Sequence, residues 1–174
     1  MSREALDKVF AARARRLAMP RDDGDHAQGE AILAFRIGAE RYGLPLSRLA
    51  EVLPLDKWVK VPGMPDSLLG VMNLRGEIRP VLNLHVLLSV GEAAPAEDPL
   101  VLFLRGQTLE IGLRIDAIDR VTHADQGAQA GDSAALLGRY VTGMTADDVI
   151  LIDIDQLFAL DIFRDVVAEN SRTA

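Results

Sequence analysis

The chain has 174 residues, 49 % hydrophobic and 26 % charged, with a formal net charge of −7. That is room for one ordinary domain or two small subdomains sharing a core, and its acidity argues against general nucleic-acid binding. The longest uncharged apolar stretches are strand-sized, which excludes a transmembrane helix and direct membrane insertion. MSREALDKVF places acidic residues where a secretory leader needs an apolar core, so the expected compartment is the cytoplasm. Lacking cysteine, the chain has no disulfide, thiol nucleophile or cysteine zinc site.

Ser2 is placed to cap a helix with Glu4 in its first turn. Leu6, Val9, Phe10 and Leu17 then recur at helical spacing until Pro20 stops the run, which predicts a short amphipathic helix over 1–21. Arg3, Lys8, Arg13, Arg15, Arg16 and Arg21 against Glu4 and Asp7 give this stretch a balance of +4, leaving −11 for the remainder. The helix either packs on its own domain or acts as a detachable docking element. The polar, glycine-bearing DDGDHAQG over 22–29 reads as a linker to the body.

From Glu30 the pattern turns to β. Residues 31–37 and 42–46 form a hairpin about Gly38-Ala39-Glu40-Arg41, with Pro45 implying an edge or bulge. Residues 47–53 fit a strand or one helical turn, and 57–61 alternate up to Pro62, with Trp58 read as a packing residue rather than a stacking platform. Leu68 to Met72 and Ile78 to Leu84 predict two strands joined tightly at Asn73-Leu74-Arg75-Gly76. Gly76 suits the positive φ of such a turn, Asn73 tolerates the left-handed region, and Arg75 would project a permanent cation from the tip.

His85 to Leu88 reads as a short helix closing the first half, and 89–98 as a linker. Residues 100–104 and 109–115 form another hairpin, followed by a strand at 118–121. Residues 124–139, rich in Ala, Gly and Gln, suggest a mobile excursion; 140–144 and 149–154 make a last hairpin, and Asp155 is placed to cap a helix through Gln156, Leu157 and Phe158 toward Val167. The two halves repeat. Phe35 and Gly43 recur as Phe103 and Gly112, and Gly70 recurs as Gly143. Many short strands with Gly/Pro turns predict an all-β fold of two small barrels in tandem, since closing each sheet removes exposed edges.

Catalytic constellations are not identifiable. Asp153 and Asp155, two apart on a presumed strand, would share a face as a metal or acid/base pair must, but a cap and a strand-end residue explain them without a third ligand. His26, His85 and His123 fit no metal spacing and read as surface or cap residues. Neither G-x-S-x-G nor G-x-x-x-x-G-K-[ST] occurs. No cofactor is therefore expected, and no enzyme. On physical grounds alone Arg75 is as well explained by a surface pair with Glu51 or Glu77 as by a partner's carboxylate.

Pro62-Gly63, Gly70-Val71, Asn73-Leu74-Arg75-Gly76, Pro80 and Leu84 resemble the signature of CheW-like domains, the adaptors of bacterial chemosensory arrays. The resemblance spans about 30–162, with 1–29 as helix and linker before it and 163–174 as a tail. It implies paired five-stranded SH3-like barrels with short helices. It further implies a non-catalytic scaffold, cytoplasmic at the inner face of the membrane, that couples the tip of a methyl-accepting chemotaxis receptor to the regulatory domain of a CheA-like histidine kinase, with self-association in rings. Carried over by position, the receptor-side residues are Leu49, Glu51, Gly70, Asn73, Arg75 and Leu100. A coupling protein of a non-chemotactic pathway, such as pilus motility or differentiation, is the alternative. From another class, a nucleic-acid-binding β-barrel would want a basic groove that this acidic body lacks. Arg79, where the family's pattern has Val, Asn83 in place of an acid, and Arg114 depart from the pattern; the two arginines are expected to put charge on faces open to partners.

Overall fold

The computed structural model describes residues 29–90, 96–125 and 138–163. The expected N-terminal helix, most of its linker, the core of the 89–98 linker, most of the 124–139 excursion and any helix beyond Phe163 lie outside these. The four predicted hairpins are present. They comprise β1 (Gly29–Ile37) with β2 (Glu40–Pro45), β5 (Leu68–Leu74) with β6 (Glu77–Asn83), β7 (Leu100–Arg105) with β8 (Glu110–Ile115), and β10 (Val141–Met144) with β11 (Ile150–Ile152). Strand β3 (Leu49–Pro54) follows a 3-10 turn at Leu46–Arg48, so the ambiguous 47–53 stretch is both turn and strand. Only Trp58–Val59 of 57–61 forms a strand, β4, and β9 (Ala117–Asp125) is longer than expected. Two short helices, α1 (Leu84–Leu87) and α2 (Ile154–Phe158), close the halves. No helix among the described residues is long and apolar enough to cross a membrane.

The fold is mostly β, in two sheets ordered β10-β11-β2-β1-β9 and β3-β7-β8-β6-β5-β4. The sequence repeat maps onto this order. If β1 and β2 correspond to β7 and β8, and β5 and β6 to β10 and β11, then both sheets have the same order, with β4 added at one edge. Each half has given its first hairpin to the other half's sheet. The exchange is sealed by two parallel pairings, β11 on β2 (Leu151 opposite Gly43) and β6 on β8 (Val81 opposite Gly112). The repeat's two glycines therefore sit where the halves interlock. A Cβ on Gly112 would lie 2.7 Å from Val101 Cγ1 and 3.1 Å from Val81 Cγ2, and one on Gly43 2.9 Å from Val149 Cγ1, so packing leaves no room for a side chain.

Burial explains why the central strands read as continuous apolar runs. On β7, Leu102 and Leu104 enter a large core shared by both sheets, whereas Val101 and Phe103 turn to a second core with Met72 and Val81. On β1, Leu33, Phe35 and Ile37 face the shared core while Ile32 and Ala34 pack with Val149. A strand covered on both faces has no solvent side to supply polar residues. Residues from β3 at one end of the second sheet and β5 near the other meet in one cluster, so that sheet is rolled about its own core. Pro45 on β2 and Pro80 on β6 both lie on interior strands, not on the edge expected of Pro45. Their missing donors are tolerated because β11 pairs only with Tyr42 and Gly43 of β2 and the pairing of β6 to β8 begins at Val81.

The end of the last hairpin differs from expectation. Strand β11 stops at Ile152, and Asp153, not Asp155, caps α2: its Oδ1 accepts a hydrogen bond from Gln156 N at 3.1 Å. Asp155 sits in the first turn, where a carboxylate complements the helix dipole, and pairs with Arg48 at 3.1 Å. The two aspartates thus share no strand face, and each has a structural partner.

Candidate protein-binding surface

The β5–β6 turn has two central residues, Arg75 and Gly76, both with positive φ (56° and 92°), as the mirror-image type I′ turn requires. The left-handed burden falls on Arg75 rather than on Asn73. Asn73 instead accepts a hydrogen bond from Gly76 N through Oδ1 at 3.0 Å, bracing the turn. An L-residue pays roughly 1–2 kcal/mol for this region, and only Gly or Asn visits it cheaply. Arg75 bears that cost with its side chain 82 % exposed and paired with Glu51 Oε2 at a long 3.5 Å. Strain at an exposed cation is a pointer to function, because a bland turn would use Asn-Gly.

Below the tip lies an ion cluster. Arg79 Nη1 is 3.1 Å from Glu51 Oε1 and 2.5 Å from Glu110 Oε2, while Nη2 donates to Glu77 at 2.8 Å. The guanidinium stands 5.7 Å over the Phe103 ring, so the cluster caps the second core. Its hydrogen bond to Glu77, aided by the surrounding carboxylates and opposed by burial, holds Arg79 above even its ordinary high pKa. With its side chain only 14 % exposed, Arg79 is internal. The expectation that it offers charge to partners is corrected. Alternation could not have shown this, because Val81 and Leu82 on the two faces of β6 are both fully buried while Glu77 and Ile78 are both exposed.

The opposite face of the hairpin is apolar and open. Ile78 (60 % exposed) stands opposite Asn73, and Val59 (67 % exposed), on edge strand β4, lies beside Val71, which in turn pairs with Pro80. Sequence reasoning missed this pair. Of the other carried-over residues, Leu49 begins β3 at the same end of the second sheet, opposite Leu104, and packs on the shared core. Gly70 is buried in mid-strand, where a Cβ would meet Val59 O at 2.3 Å, so it seats β4. Leu100 pairs with Pro54 and Ile115 at the far end of the sheet. Glu51, Asn73, Arg75 and Leu49 are thus gathered at one end, and Leu100 is not with them.

Beside Leu49, Arg48 lies 5.8 Å over the Phe158 ring and forms one wall of an open cleft of about 450 Å³ between α2 and the β7–β8 turn. Elsewhere, Arg114 and His85 are internal, correcting the expectation of an outward Arg114 and a surface or cap His85. Both lie against Asp116 (3.1 and 3.3 Å), whose Oδ2 also accepts from Gly38 N at 2.6 Å, tying α1 and β8 to the β1–β2 turn. Among the described residues no group of His, Asp and Glu is disposed to hold a metal ion.

Two β-sheets that exchange hairpins about a shared core, with a charged hairpin tip held out at one end, define a two-subdomain β-scaffold of repeated halves. The CheW-like domain family matches residues 31–161, and the chain belongs to that family. It is 30 % identical over 137 residues to "Chemotaxis protein CheW" of Klebsiella aerogenes, covering 75 % of this chain and 82 % of that one. It is 36 % identical over 89 residues to "Protein FrzA" of Myxococcus xanthus, covering 51 % and 48 %. The solved scaffolding protein TtCheW of Thermoanaerobacter tengcongensis superimposes with a TM-score of 0.65 at 26 % identity, over 77 % of this chain and 95 % of that one.

Proposed function

We propose that this chain is a non-catalytic coupling adaptor that binds the cytoplasmic tip of a chemoreceptor and the regulatory domain of a CheA-like histidine kinase, with Arg75 and its neighbours on the receptor side. The observation that carries the reading is the Arg75 turn: a left-handed arginine projected into solvent, with exposed Ile78 on the other face of the same hairpin, brings a cation and an apolar side chain to one tip. Such a pairing suits a protein surface that carries a carboxylate among apolar side chains. Family membership and the scaffold named in TtCheW support the same reading. Function then comes from binding alone, in the cytoplasm, at the inner face of the membrane where the receptors lie.

Matches to FrzA and to "Protein PilI" of Pseudomonas aeruginosa, neither of which has chemotaxis in its name, favour a second reading in which the coupled pathway has another output. Co-sedimentation of the purified chain with receptor-tip fragments and with kinase regulatory domain tests the adaptor role. Binding to neither would refute it, and the receptor co-isolated from cells separates the two outputs.

A further inference from the structure

Two arginines reach for one carboxylate at the hairpin tip. Arg79 holds Glu51 Oε1 at 3.1 Å from inside, while Arg75 stands at 3.5 Å from Oε2 with its side chain in solvent. These contacts are unequal. Arg79, its side chain mostly buried, is held by three carboxylates and the Phe103 ring; Arg75, with its side chain in solvent, has to compete with water and salt for the other oxygen of Glu51. Glu51, Glu77 and Glu110 carry three negative charges and Arg79 removes one. It thereby weakens the pull that would fold Arg75 down onto the cluster.

We infer that Arg79 is a positioning residue of this surface: by satisfying Glu51 from within, it leaves the Arg75 guanidinium free for a carboxylate on a protein partner. The partner's identity rests on the adaptor reading; the positioning does not. Replacing Arg79 leaves Glu51, Glu77 and Glu110 with Arg75 as the cation still paired to the cluster among the described residues, so the side chain is drawn inward and lost to the partner. A lysine in place of Arg79 would retain the charge as a point but could not span Glu51, Glu77 and Glu110 with a fork.

The test needs no partner at first. The full chain is labelled with an arginine-specific dicarbonyl reagent, and Arg75 modification is timed by peptide mass spectrometry in wild type, Arg79→Lys, Arg79→Met and Arg79→Met with Glu110→Gln. The last relieves repulsion should the single Met variant fail to fold. Arg75 labelling should slow about threefold or more in Arg79→Met, less in the Met/Gln double variant, which restores the net charge of the cluster but still leaves Glu51 without Arg79, and less in Arg79→Lys, and molar salt should restore it. Equal Arg75 rates in folded variants overturn the inference.

Affinities for a receptor-tip helical-hairpin fragment and for kinase regulatory domain follow. Arg79→Met should weaken the contact that Arg75→Ala weakens, and the double variant should be no worse than Arg75→Ala. Full additivity overturns the positioning role. Slowed labelling in the variants of a chain whose wild type binds neither partner overturns the adaptor reading instead, and leaves the positioning of Arg75 standing.

Discussion

Replacing Arg75 with asparagine should weaken binding while leaving stability nearly unchanged or slightly raised. The left-handed conformation costs an ordinary L-residue roughly 1–2 kcal/mol, and asparagine, whose short side chain tolerates it, recovers about half of that. Against this stands the exposed pair with Glu51, which at 3.5 Å and in solvent is worth about 0–1 kcal/mol. Glu51 does not lose its counter-ion, since Arg79 keeps it at 3.1 Å. The variant should therefore lie between about 0.5 kcal/mol below wild type and about 1 kcal/mol above it, a change of at most roughly 4 °C in a chain of this size. Loss of a charge-assisted contact to the partner should meanwhile cost about 1.5–3 kcal/mol of binding, tenfold or more in affinity. Arg75→Lys should rescue only part, because the ammonium keeps the charge without the planar fork. Thermal and denaturant melts beside titrations of receptor-tip fragment and kinase regulatory domain measure both. A stability loss above about 2 kcal/mol would mean that the tip holds the fold together. Unchanged affinity for both partners would mean that Arg75 is an ordinary surface residue.

Gly112→Ala places a methyl 2.7 Å from Val101 Cγ1 at the strand exchange and should cost about 1–3 kcal/mol by overpacking; a neutral denaturant melt would show that the sheets yield there. Asp153→Ala removes the cap on α2 and should cost about 1 kcal/mol, whereas Asp155→Ala, which loses an exposed pair with Arg48, should cost less; the reverse order in melts would restore Asp155 as the cap. Burial first, then the hydrogen bond to Glu40, raises the Tyr42 phenol well above its ordinary value. Above about pH 10 the unfolded chain releases this proton and the folded one keeps it, so stability contributed by Tyr42 is complete below pH 10 and declines as pH rises. Tyr42→Phe should be less steeply destabilised than wild type in melts between about pH 9 and 11; parallel slopes would count against the burial argument.

The chain's local chemistry, read alone, is enough to find the strands, because alternation and turn residues are short-range signals. The four hairpins, the doubled Phe and Gly landmarks, the tight turn at Arg75-Gly76 and the family likeness all lie in contiguous residues. Periodicity does not settle the faces of β6: Arg79 shares its parity with Val81 and Ile78 with Leu82, both fully buried, so only the tertiary structure places Arg79 inside and Ile78 outside. Which strand lies beside which is another matter. The pairings of β11 with β2 and β6 with β8 join remote segments, and only the shared core that Leu44, Leu82, Leu102 and Leu113 fill selects them. Period-2 patterning names a face without naming its partner. For the same reason only the tertiary structure could assign Glu51 to Arg79 before Arg75, give the α2 cap to Asp153, and set Leu100 at the opposite end of the sheet from the charged tip. Ion pairs and caps are decided by ångström distances between elements, which no local pattern encodes.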